Sequence, residues 1–230
     1  MRSNDEIKID RRRSDGSAKV YVEAGGKDVS HLYYGPAKVQ IGERAAVTMA
    51  GIGGVGTDEK HRRRGLARSV FSRAVAEMKR EGYTVAGLYT NKRLVAHRLY
   101  RRFGLIDVGP GRIAFKVLDP RAFARRGLSI LAQQSPDFGS RRLTLRLRFD
   151  ASRPIYLKIE GNDVTVLPRA ARRVDLSLAM SCMTFLGLFS RRIGLPYALD
   201  AKLVQWSGDA GAFHMFANAM AARLRPVDED

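Results

Sequence analysis

The sequence predicts a mixed α/β (α+β) protein of two domains, and three observations carry that prediction. Residues 20–57 set β-branched and aromatic residues between glycine-rich breaks, the pattern of strands and turns. Leu66, Val70, Ala74 and Met78, with Ala67, Phe71 and Val75 in the row beside them, give the spacing of a long amphipathic helix. At Asp119-Pro120 the pattern starts afresh with a helix, an alternating meander and a helix-rich end. The chain has 230 residues, enough for one large domain or two small ones. Its 45% hydrophobic and 28% charged residues allow a packed core. The boundary is placed near Asp119, giving domains 1–118 and 119–230.

Element by element, Val20–Glu23, Val29–Tyr34, Val39–Ile41 and Val47–Thr57 read as strands, with Gly35-Pro36 and Gly42-Glu43 as punctuation. The helix from Leu66 carries Arg68, Ser72, Arg73, Glu77 and Lys79 on its polar face and ends at Glu81-Gly82. Tyr83–Tyr89 is a buried strand, 92–102 a second helix, and Leu105–Val108 with Ile113–Leu118 a closing hairpin around Gly109-Pro110-Gly111. Beyond Asp119, a helix over 120–133 and a loop at 134–140 precede an amphipathic strand in which Leu143, Leu145, Leu147 and Phe149 alternate with polar residues. Pro154–Ile159 and Val164–Leu167 continue a meander around Gly161-Asn162-Asp163. Helices over 175–190, 195–200 and 210–223 follow, with Lys202–Trp206 as a short strand.

Composition removes several classes. One cysteine, Cys182, excludes an intramolecular disulfide framework and any multi-cysteine metal site. The four histidines, His31, His61, His97 and His214, lie at least thirty residues apart, so no metal-ligand spacing exists and no metal is expected. The N-terminus lacks the apolar run of a secretory signal, and Leu176–Phe189 is too short and too rich in Ser, Thr and Gly for a membrane span. A cytoplasmic setting is the expectation. The net charge of +18 is concentrated: residues 60–126 hold 18 basic against 4 acidic residues, whereas 1–59 balance at 9 each. Such focusing points to a polyanionic ligand, although Arg outnumbers Lys 31 to 10 and supplies surface charge without function as well. Nucleic acid is disfavoured, because the basic run lacks interleaved exposed aromatics.

The informative segment is Val55-Gly-Thr-Asp-Glu-Lys-His-Arg-Arg-Arg-Gly-Leu-Ala67, a strand, a basic glycine-containing loop, then a helix. A helix N-terminus presents unpaired N–H groups and the positive end of the macrodipole, so it takes phosphate. Gly65 permits close backbone approach, Ala67 is small, and three arginines add charge for a polyphosphate. The preceding strand lies beside whatever extends from that phosphate. Those parts describe a site for a diphosphate-bearing cofactor with an extended arm. Gly51-Ile-Gly-Gly-Val-Gly56 formally matches a dinucleotide fingerprint, but no helix follows it, and glycines in a bent strand explain it better. Cys182 and Trp206 sit in apolar patterns and read as core.

Over residues 5–118 the sequence resembles the Gcn5-related N-acetyltransferases (GNAT). Their acetyl-coenzyme A signature, Arg/Gln-x-x-Gly-x-Gly/Ala, is matched by Arg62-x-x-Gly65-x-Ala67 between a strand and a long helix. Tyr100-Arg-Arg-Phe-Gly104-Leu105 resembles the second signature, Tyr-x-x-x-Gly-Phe, with Leu replacing Phe. Within the family, Gly51–Thr57 and the arginine run look most like the enhanced-intracellular-survival branch. The resemblance implies acetyl-CoA as cosubstrate and a small-molecule or peptide amine as acceptor. It implies that Val55, Gly56 and Thr57 hold the pantetheine arm, and that Arg62, Arg63, Arg64, Gly65, Leu66, Ala67 and Arg68 cradle the pyrophosphate. Tyr100 would be the general acid that protonates the departing thiolate, against the alternative of a core tyrosine; Asn91 is a cofactor contact or a helix cap. The base is open between water, His31, Glu43 and the Asp230 carboxylate, because the strand Val47–Thr57 has no acid.

Residues 119–223 resemble the sterol-carrier-protein fold. The resemblance rests on an initial helix, a meander carrying Leu157-Lys-Ile-Glu-Gly-Asn-Asp163, the strand-to-helix turn at Val174–Ser181, and Gly208-Asp-Ala-Gly-Ala-Phe-His-Met-Phe216. The survival branch ends in such a domain but normally has a second acetyltransferase-like domain before it, which is missing here. An apolar ligand lined by Met180, Met183, Phe185, Phe213 and Phe216 is one expectation, and plain core packing the other. Homo-oligomerisation is left open. The function expected from the whole is acetyl-CoA-dependent N-acetyl transfer by direct attack on the thioester; the alternative is a lipid carrier with a non-catalytic acetyltransferase half.

Overall fold

The computed structural model describes residues 6–11, 14–41, 45–90, 95–108, 113–139, 142–150 and 152–221. They fall into two compact units, Met1–Val39 with Thr48–Asp119, and Gln40–Val47 with Pro120–Asp230.

The first unit is built on a seven-stranded sheet in the order β1-β2-β3-β4-β5-β7-β6. Its strands are β1 (Glu6–Arg11), β2 (Ala18–Ala24), β3 (Lys27–Ile41), β4 (Ala45–Thr57), β5 (Val85–Tyr89), β6 (Ile106–Val108) and β7 (Ile113–Val117). Helix α1 (Leu66–Arg80) is the crossover between β4 and β5, which run parallel, and α2 (Val95–Arg102) follows β5. Leu32, Tyr34, Ala50 and Ile52 from the sheet bury against Leu66, Val70, Phe71, Ala74 and Met78 of α1. Phe71 stacks on Phe103 at 4.3 Å between ring centroids and lies 6.0 Å from Tyr100, which ties α1 to α2. The parallel ladder is short: Ala50 pairs with Ala86, Gly51 with Gly87 and Ile52 with Leu88. Beyond Ile52, β4 runs on to Thr57 while β5 ends at Tyr89, so the two strands part.

The second unit carries a five-stranded sheet in the order β10-β9-β8-β11-β12. Its elements are α3 (Pro120–Gln134), α4 (Pro136–Gly139), β8 (Leu143–Phe149), β9 (Ile155–Glu160), β10 (Asp163–Val166), β11 (Leu176–Met180), α5 (Cys182–Phe189), α6 (Leu195–Asp200), β12 (Val204–Gly208) and α7 (Ala210–Ala221). β8 and β11 are parallel, and the other pairs of this sheet are antiparallel. Leu143, Leu145, Leu147 and Phe149 are buried, as their alternation predicts.

Four readings of the sequence need correction. Glu6–Arg11 is a strand, paired along its length with β2, that the expected run beginning at Val20 leaves out. β3 passes unbroken through Gly35-Pro36, where a break was expected. The expected helix over 175–190 is a strand over Leu176–Met180 followed by a helix over Cys182–Phe189. The alternation of buried Leu176, Leu178 and Met180 decides it: period two fits a strand between β8 and β12, and Ser181 then caps α5 through Thr184 N–H. The expected loop at 134–140 contains the short turn α4. The mixed α/β class holds in both units.

Candidate active site

Where β4 leaves β5, the chain turns through a 3-10 turn at Glu59–His61 into α1. Arg63 and Gly65 take left-handed backbone conformations, with φ of 60° and 80°. Glycine bears that conformation without steric cost, and a Cβ at Gly65 would meet nothing within 4 Å, so this corner is open. No side chain caps α1, and its first turn holds no acid. The N–H groups of Leu66, Ala67 and Arg68 precede the first intrahelical acceptor bond, made by Ser69 N–H to Gly65 O at 3.1 Å. The result is a bare helix N-terminus carrying partial positive charge.

A cleft of about 850 Å³ opens at this end of the helix. Thr57, His61, Arg62 and Arg63 form its loop side, Gly65 to Arg68 and Ser72 its helix side, and Leu99, Arg102 and Phe103 of the α2 end its far wall. Arg62 is anchored loosely, with Nε donating to Thr57 O at 3.4 Å and Nη1 3.4 Å from Glu59 Oε1. Among the described residues no carboxylate pairs with Arg63, Arg68 or Arg102. Exposed guanidinium groups around uncapped amides make an anion receptor whose shape suits a polyphosphate.

Of the residues expected at the site, Thr57, Arg62, Arg63, Gly65, Leu66, Ala67 and Arg68 line this cleft together. Arg64 is exposed outside the lining, Val55 packs toward the core, and Gly56 lies against the His31 ring. Asn91, Glu43 and Asp230 lie outside the described residues. Tyr100 is buried against Phe71 rather than in the cleft lining, between wall residues Leu99 and Arg102–Phe103. Burial pushes its phenol above the ordinary tyrosine value, so the hydroxyl keeps its proton at neutral pH. His61, Ser72, Leu99, Arg102 and Phe103 join the cleft without having been singled out. Leu99, Arg102 and Phe103 are three and four apart on one helical face, a spacing legible in the sequence. Among the described residues no group of His, Cys, Asp and Glu is gathered to hold a metal, and no helix is long and apolar enough to cross a membrane.

In the second unit, Met180, Phe185, Phe213 and Phe216 are buried in the core. Phe185 packs on Phe123, Phe149 and Phe189, and Phe213 stacks on Trp206 at 4.1 Å. Trp206 itself is 40% exposed, which corrects its reading as a core residue.

Comparison with known proteins bears on the family and the fold. Residues 2–105 match the family model described as acetyltransferase (GNAT) domain. No curated protein matches by sequence. Among solved structures, a probable N-acyltransferase from Enterococcus faecalis V583 superposes with a TM-score of 0.58 at 10% identity, covering 87% of this chain and 86% of its own. Eis1 from Mycobacterium abscessus gives 0.54 at 10% identity, covering 91% and 89%. A GCN5-related N-acetyltransferase from Kribbella flavida gives 0.51 at 12% identity, covering 90% and 87%. Residues 2–105 are thus similar to a GNAT acetyltransferase domain, and the chain shares its fold with these proteins.

Proposed function

We propose that the GNAT domain transfers an acetyl group from acetyl-CoA to the amine of a small molecule or peptide. The observation that carries this reading is the parting of β4 from β5 above the uncapped, arginine-ringed N-terminus of α1. The amides of Leu66 to Arg68 and the side chains of Arg62, Arg63 and Arg68 take the pyrophosphate, with Arg64 adding charge at the rim. The backbone of Val55, Gly56 and Thr57, free of β5, hydrogen-bonds the pantetheine arm, and one N–H there steadies the oxyanion formed on attack. Asn91, which follows β5 in sequence, is assigned to the same arm. Tyr100 gives its proton to the departing thiolate; its place on α2 between the cleft residues Leu99 and Arg102 supports this role. No metal takes part, and the single cysteine supports a cytoplasmic setting. Residues 119–230 are read as a sterol-carrier-like domain, supported by the β8–β10 meander and the strand-to-helix step at Ser181.

Calorimetric titration with acetyl-CoA tests the reading. Saturable binding in the micromolar range is expected, and Gly65→Glu should abolish it by setting a carboxylate against the pyrophosphate. Retained affinity in that variant would sink the assignment. Tyr100→Phe should lower kcat by about 10²-fold with acetyl-CoA affinity unchanged; an unaltered kcat removes the acid role.

A further inference from the structure

The face of the first sheet turned away from α1 carries a second set of polar groups. Gly54 and Gly56 present no side chain there, and the space is taken by rings from β3. A Cβ on Gly56 would stand 3.2 Å from both Cε1 and Nε2 of His31, and one on Gly54 would stand 2.7 Å from the Tyr33 ring. The imidazole therefore lies against the β4 backbone at the stretch assigned above to the cofactor arm. Three contacts fix β3 to this end of β4: Ser30 Oγ shares a hydrogen bond with Thr57 Oγ1 at 2.9 Å and lies 3.3 Å from Gly56 O, and Asp58 N–H donates to Val29 O at 2.9 Å.

His31 is also oriented. Its Nδ1 stands 3.3 Å from Asp28 Oδ2, and Lys19 Nζ holds that same oxygen at 2.6 Å. The other oxygen, Asp28 Oδ1, is buried with no hydrogen-bond partner, so the carboxylate has acceptor capacity to spare beside the ring. The Tyr33 ring meets the imidazole edge-on at 5.7 Å between centroids, and Tyr21 pairs with His31 across the sheet. Among the described residues, Lys19, Asp28, Tyr21 and Tyr33 are the titratable groups facing it. The His31 side chain is 34% exposed, so the ring is not sealed in the core.

We propose that His31 is the proton acceptor for the incoming amine, with Asp28 as its positioning residue; the assignment rests on the acetyltransferase reading above. A carboxylate at Nδ1 selects the tautomer with Nδ1 protonated and Nε2 bare. The amine reacts as its neutral form. As its nitrogen bonds to the acetyl carbon it becomes cationic and acidic, and Nε2 takes that proton. The carbon–sulfur bond breaks, sulfur leaves with the electron pair and receives the Tyr100 proton. Solvent carries the proton from His31 back to Tyr100, and the sum is amine plus thioester giving amide plus thiol.

Two measurements on the full chain test this. Nitrogen-15 spectra should find the His31 proton on Nδ1 and Nε2 bare, and Asp28→Asn should raise the share of the opposite tautomer. The opposite tautomer in the wild type overturns the assignment. Thiol release from acetyl-CoA is then followed with a diamine, a polyamine, an aminosugar and a peptide with a free N-terminus. His31→Gln should lower kcat/KM by about 10²-fold at pH 7, with acetyl-CoA affinity within about twofold of wild type. An unchanged rate overturns the proposal, as does a collapse of acetyl-CoA affinity in His31→Gln, which would move the residue to the donor site. Failure of the wild type to bind acetyl-CoA overturns the acetyltransferase reading itself. If acetyl-CoA binds and none of the amines releases thiol, the tautomer decides.

Discussion

At the scale of single residues, the left-handed step within β4 depends on Gly54. Its φ of +54° is one that L side chains rarely adopt, and a Cβ would press to 2.7 Å of the Tyr33 ring. Gly54→Ala should therefore destabilise the first unit by about 1–3 kcal/mol, read from urea denaturation. Gly53, one residue earlier, has open space around it, so Gly53→Ala is the control and should stay within about 0.5 kcal/mol of wild type. Equal losses in the two variants would show that neither the ring contact nor the φ matters. Individual arginines at the cleft act differently: Arg63, Arg68 and Arg102 are exposed, so their removal should lower acetyl-CoA affinity with little change in stability.

At the scale of elements, one buried carboxylate adds an ionic tie from α1 to β1 to the apolar packing of the helix on the sheet. Glu77 is 5% exposed and faces Arg80 at 2.6 Å, Arg73 at 2.9 Å and Arg11 of β1 at 2.9 Å. The hydrogen bond from Arg80, with the charges of Arg80, Arg73 and Arg11, holds its carboxyl below the usual range despite burial. A carboxylate depressed in the folded state contributes stability above its unfolded pKa and loses it as pH falls through the folded one. Glu77→Gln should cost about 1–3 kcal/mol at pH 7 and flatten the fall in stability below about pH 4.5. A wild-type acid profile in the variant would assign that fall to other groups. The same helix explains why the donor side was readable: its apolar rows, its glycine N-cap and its acid-free first turn are all local features.

At the scale of the whole molecule, each unit owns a core, and a defect in one can be read against the activity of the other. Leu147 is fully buried in the second core. Leu147→Ala should destabilise by about 2–5 kcal/mol while leaving acetyl-CoA affinity unchanged; a parallel loss of affinity would show that donor binding depends on the second unit. The sequence by itself determined the mixed class, the strand–loop–helix that makes the anion site, and the basic charge of residues 60–126. It could do so because helix periodicity, glycine turns and charge runs are properties of neighbouring residues. Pairing between distant strands is not such a property. Whether Leu176–Met180 is strand or helix was decided by its place between β8 and β12, since a short apolar run fits either period until its neighbours are known. Tertiary structure also decided that β4 outruns β5, that Tyr100 turns to Phe71 while Leu99 and Phe103 line the cleft, and that His31, with Asp28 at its Nδ1, lies beside Gly56. Those placements come from the register and packing of segments brought together by folding, which the one-dimensional pattern does not encode.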